Sequence, residues 1–132
     1  MITEYDTRVN NGDFEGFRKT AKKALKHIRE HFMDYAQAPD IRGYSHRFSP
    51  YTLRDEFDRL ISQDGFEIDA RSIKHAYGIG NNNEWDILDK NMNKVGTFNA
   101  NNNMYHGVYL NVYVKDKRLD GFEICSGGFI RE

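Results

Sequence analysis

Apolar residues change their period halfway along this chain. Phe14, Phe17, Ala21, Leu25, Ile28, Phe32 and Tyr35 recur at helical spacing, which lines one side of a helix. Val108, Leu110, Val112 and Val114 instead alternate with Tyr109, Asn111 and Tyr113, which divides a strand into two faces. A chain that groups its helices first and its strands later belongs to the α+β class.

Local signals set the boundaries. Asp13 is a good N-cap and Pro39 a stop, so the first helix is expected to run from residue 13 to about Ala38. Ser49-Pro50 opens a second helix, with Thr52 and Asp55 as a rival start. Leu53, Phe57, Leu60 and Ile61 form its apolar side, and Gly65 follows its end. Phe66–Asp69 reads as a short strand and Ala70–Tyr77 as one or two helical turns. Gly78–Asn83 breaks the pattern. Strands are expected at Trp85–Leu88, Lys94–Asn99, Val108–Lys115 and Phe122–Cys125, with Phe129–Arg131 as an edge. The links between them are Lys90–Asn93, the Asn-rich Ala100–His106 and Asp116–Gly121. Links this short favour an antiparallel meander. The expected architecture is two N-terminal helices packed on one face of a four- to five-stranded antiparallel meander. It forms a single domain over residues 1–132, with a helical half at about 13–77 and a sheet at about 84–131.

Composition narrows the function classes. The 132 residues carry 19 Lys+Arg against 20 Asp+Glu, a net charge of −1, which argues against a wholly basic nucleic-acid coat and against an acidic DNA mimic. Apolar runs are too short to cross a membrane, so no membrane partner is expected. Met1–Asp6 lacks the basic start and apolar stretch of a signal peptide. The lone Cys125 fits a reducing compartment, and a cytoplasmic location is expected.

No residue set stands out as catalytic. His27-Ile28-Arg29-Glu30-His31 has the H-x-x-E-H order of inverted zinc peptidases, and histidines four apart share one helical side. A third ligand on a second helix is not marked, Glu56 being the nearest candidate. Gly78-Ile79-Gly80 lacks the remaining elements of a phosphate-binding loop. Glu84 and Asp86 share a strand face, with Asp89 on the other. Cys125 falls in a strand, where a buried thiol is inert. No cofactor and no metal are expected.

Binding features are better marked. Lys22, Lys23, Lys26 and Arg29 lie on the polar side of the first helix, with Glu30 and Asp34 late in it. Basic early and acidic late runs against the helix dipole, as selection for an anionic partner would produce. Arg42 and Arg47 sit in an aromatic loop, a composition used for phosphate contacts or base stacking and for protein hot spots. Tyr109 and Tyr113 could form a stacking platform. The expectation is a non-enzymatic inhibitor or adaptor of the kind phages and mobile elements encode. It would dock through these eight residues on a protein or nucleoprotein with an acidic surface. Two alternatives are direct nucleic-acid binding by the basic helix and Tyr face, and a metal-dependent hydrolase built on His27 and His31. A homo-oligomer is compatible with all three.

Overall fold

The structure, a computed structural model, describes residues 12–32, 49–76, 82–103, 107–125 and 128–132. Among them are two helices, α1 (Phe14–Glu30) and α2 (Pro50–Ser62). Six strands follow: β1 (Glu67–Ala76), β2 (Asn82–Leu88), β3 (Lys94–Asn103), β4 (Gly107–Val114), β5 (Lys117–Cys125) and β6 (Phe129–Arg131). They form one antiparallel sheet in the order β1-β2-β3-β4-β5-β6.

Both helix starts follow from their caps. The Asp13 carboxylate accepts the Gly16 N–H at 3.0 Å, satisfying a donor the helix leaves open. The Ser49 hydroxyl accepts the Thr52 N–H at 3.1 Å, and Pro50 takes the first helical position. Ser49, not Thr52, is therefore the cap. α1 is interrupted after Glu30, where His31 leaves the helical region at φ −114°, ψ 16°, and Phe32 is helical again. The expected continuation to Ala38 lies outside the described residues. Past α2, Gly65 turns the chain at φ 91°, a conformation that favours glycine.

The sheet exceeds expectation by at least one strand. Ala70–Ala76 is extended rather than helical, and completes β1. The pairing of β1 with β2 breaks between Asp69 and Lys74. There the Ser72 hydroxyl donates to the Asp69 carbonyl at 2.6 Å and accepts the Asp86 N–H at 2.7 Å. A side chain thus replaces a ladder partner across the bulge, which masks the strand's alternation. The expected Asn-rich loop is also largely strand, since β3 pairs with β4 through Asn103. The β4–β5 turn shortens to Lys115-Asp116, with Lys115 at φ 54°.

The aliphatic face of β4 meets the helices as its alternation requires. Val108, Leu110, Val112 and Val114 are buried, whereas Tyr109, Asn111 and Tyr113 are half-buried on the far face. α2 contacts β1, β3 and β4; α1 contacts β3, β4 and β5. Phe57 of α2 stacks on Phe98 of β3 with ring centroids 4.9 Å apart. Phe17 of α1 lies over Gly96, where a Cβ would sit 2.7 Å from its ring and 2.1 Å from the Tyr113 carbonyl oxygen. Only glycine permits that approach.

Phe57→Ala should destabilise the fold by about 3–5 kcal/mol, because it empties the contact between helix and sheet. Urea unfolding followed by circular dichroism measures it. A loss below about 1 kcal/mol would show that this stack is not central to the core.

Candidate docking surface

The polar side of α1 carries a narrow ridge of ammonium groups. Lys19, Lys22, Lys23 and Lys26 occupy positions i, i+3, i+4 and i+7, and all are exposed. That spacing stacks them on one side of a helix, over about 10 Å at 1.5 Å per residue. They point away from the sheet, because Phe17, Ala21, Ala24, Leu25 and Ile28 take the opposite side.

Two of the four are balanced within the chain. Lys23 Nζ lies 3.0 Å from Asp64, and Lys26 Nζ lies 3.9 Å from Glu30. The Lys23 ammonium holds the Asp64 carboxyl below its usual range, helped by the Thr20 hydroxyl, which donates to it at 2.9 Å. Among the described residues, Lys19 and Lys22 have no ion-pair partner. Glu15, paired with Arg18, closes the N-terminal end of the ridge.

The charge pattern at the ends of α1 is mixed. Glu15 stands in the first turn, and His27 and Arg29 stand in the last. Those charges suit the dipole, whereas Glu30 at the last helical position opposes it. What distinguishes the helix is the ridge at its middle.

Arg29 does not belong to that ridge. Its guanidinium donates to both Asp120 oxygens at 2.8 and 3.0 Å and to Glu132 at 3.0 Å. It also lies 4.3 Å from the centre of the Phe122 ring. This forked pairing ties α1 to β5 across 91 residues of sequence. It raises the Arg29 pKa and draws the Asp120 carboxyl below its ordinary value. Arg42 and Arg47 lie outside the described residues.

Tyr109 and Tyr113 are on the sheet face that turns away from the helices. The lysine ridge and the tyrosine pair are therefore on opposite sides of the molecule, and no single contact patch joins them. The far face is a polar network instead. Asn101 donates to Asn99 at 3.2 Å, and Asn99 donates to the Asn83 carbonyl at 3.2 Å. Arg118 donates to Asn111 at 2.9 Å. Glu123, the register partner of Tyr109, is fully buried there, with Arg131 3.6 Å away.

Two acidic residues of the β2–β3 region have structural work. Asp89 accepts N–H groups from Asn91 and Asn93, both at 2.9 Å, and from Asp13 at 3.2 Å. It thus fixes the β2–β3 turn and the start of α1 together. Asp86 pairs with Lys94 at 3.1 Å. Among the described residues, no group of three or more His, Cys, Asp or Glu is placed to hold a metal ion. Cys125 is buried, and that burial, with the nearby Glu123 charge, pushes its thiol pKa up, away from nucleophilic reactivity. An open cleft of about 640 Å³ lies between the start of α1 and the β4–β5 turn. Its Arg18, Lys115 and Lys117 face Asp13, Glu15 and Asp116, so it has no net sign.

No protein-family model, curated protein or solved structure matches the chain. Among the described residues, no helix is long and apolar enough to cross a membrane.

The Asp120 carboxyl has a lower pKa folded than unfolded. Its contribution is therefore present above the unfolded value and lost as pH falls through the folded one. Arg29→Met should lower stability by about 1–2 kcal/mol at pH 7. The gap to the unaltered protein should narrow below about pH 4. Denaturant titrations between pH 3 and 7 read both effects; a gap independent of pH would mean that Arg29 acts by packing alone.

Proposed function

We propose that this chain is a non-enzymatic binding protein, an inhibitor or adaptor that docks on the acidic surface of a protein partner. The observation that carries this reading is the exposed ridge Lys19, Lys22, Lys23 and Lys26, half of which has no ion-pair partner among the described residues. A local cationic ridge on a chain of net charge −1 orients encounter more than it raises general affinity for anions.

The surroundings of the ridge favour a protein over a nucleic acid. Glu15 and Glu30 stand at its two ends, and Asp64 stands beside Lys23. These carboxylates repel a phosphate backbone that continues past the lysines. An acidic patch of limited extent avoids them. The far-face tyrosines also cannot stack bases held on the ridge. Docking without chemistry agrees with the uses found for the other polar groups: Asp13, Asp89, Asp120 and Ser72 all hold the fold together. The lone Cys125 supports a reducing compartment as the place of action.

Lys22→Glu with Lys26→Glu should leave the circular dichroism spectrum unchanged, since both side chains are exposed. It should weaken partner capture from host lysate by roughly tenfold or more, with nuclease present throughout. Capture that the reversal leaves intact would reduce the ridge to a solvated face. Capture lost to nuclease, with a steep salt dependence, would replace the protein partner with nucleic acid.

A further inference from the structure

His27 and His31 stand one turn apart at the end of α1, outside the lysine ridge. Their rings lie side by side, with centroids 4.3 Å apart and planes at 28°. His27 is half-buried and His31 exposed, so the pair is open to solvent from one side. The nearest cationic side chains of α1 are each answered by a carboxylate: Lys23 by Asp64, Lys26 by Glu30, and Arg29 by Asp120 and Glu132. A positive charge at this end of a helix is also favoured by the helix dipole.

We propose that His27 and His31 form a two-point chelate for a borderline divalent transition metal, Cu(II), Ni(II) or Zn(II). Neutral imidazole nitrogen is a preferred ligand for these ions. Metal–nitrogen distances near 2.0–2.1 Å put two ligating nitrogens about 3.3 Å apart on a tetrahedral ion. The ring centroids lie 4.3 Å apart on one side of the helix, so rotation about the side-chain bonds would be needed to turn one nitrogen of each ring toward a shared ion. Two protein ligands leave the other coordination positions to water or to a donor from another molecule. The site is therefore a place to capture a metal or share it. It is unlike a closed structural centre, which fills all four positions from the protein. Hard, oxygen-seeking Mg²⁺ and Ca²⁺ do not fit it. The inference does not depend on the lysine ridge, and neither fails with the other.

The test is calorimetric titration of the full, chelator-stripped chain with NiCl₂ in a non-coordinating buffer, with MgCl₂ as control. One Ni(II) per chain should bind at this pair. His27→Asn and His31→Asn should each weaken that binding roughly ten- to hundredfold, because each removes one arm of the chelate. Magnesium should produce no binding heat. Circular dichroism checks that the variants fold. Nickel affinity unchanged in the double variant, or no nickel binding by the unaltered chain at about 1 mM, overturns the proposal.

Discussion

Phe57 stacked on Phe98 marks the contact on which the rest of the molecule depends. Neither helix can keep its apolar stripe in water, and the sheet cannot leave its aliphatic rows uncovered. α2 lies toward the β1 side of the sheet and α1 toward the β5 side, and both reach β3 and β4. Gly96 lets Phe17 down onto β3 without a clash. Once both helices occupy the same face, the positions of the polar groups follow. The lysines of α1 point outward, and the tyrosines of β4 point the opposite way.

That arrangement explains why sequence reasoning combined two surfaces that the fold separates. Lysines and tyrosines are both marks of a binding face, and their spacing along the chain does not reveal which side of a layered structure each will take. Charge is similar. Lys22, Lys23 and Lys26 were legible as neighbours because helical spacing is local, whereas Lys19 was not singled out and Arg29, which was, is tied to Asp120 instead. Asp64 was not legible as the partner of Lys23, nor Asp120 as the partner of Arg29, because those contacts are made only by folding.

Among the backbone elements, the division follows how local the signal is. The caps at Asp13 and Ser49, Pro50 and the alternation of β4 were read correctly, since each depends on a few adjacent residues. β1 was misread where Ser72 completes the ladder with its hydroxyl, because a bulge breaks the alternation that reveals a strand. Ala100–Asn103 was misread because asparagine is usually a turn residue. Here Asn99 and Asn101 bond to one another on the polar face of β3. The site was legible as residue types and spacing. Its electrostatic outline, with carboxylates at both ends and at one side, required the structure.

The strand order carries a consequence for the birth of the protein. Every described strand pairs with its neighbours in the chain, so these pairings close over short separations, and loop-closure cost is small. The distant partnership is the one between α1 and the later strands, such as Arg29 with Asp120, 91 residues on. During synthesis α1 leaves the ribosome before any of the described strands. At ordinary translation speeds it waits roughly 5–20 s for the strands it must cover. Throughout that interval Phe17, Leu25 and Ile28 have no sheet to bury them. The nascent chain is then most vulnerable to aggregation and most in need of a chaperone.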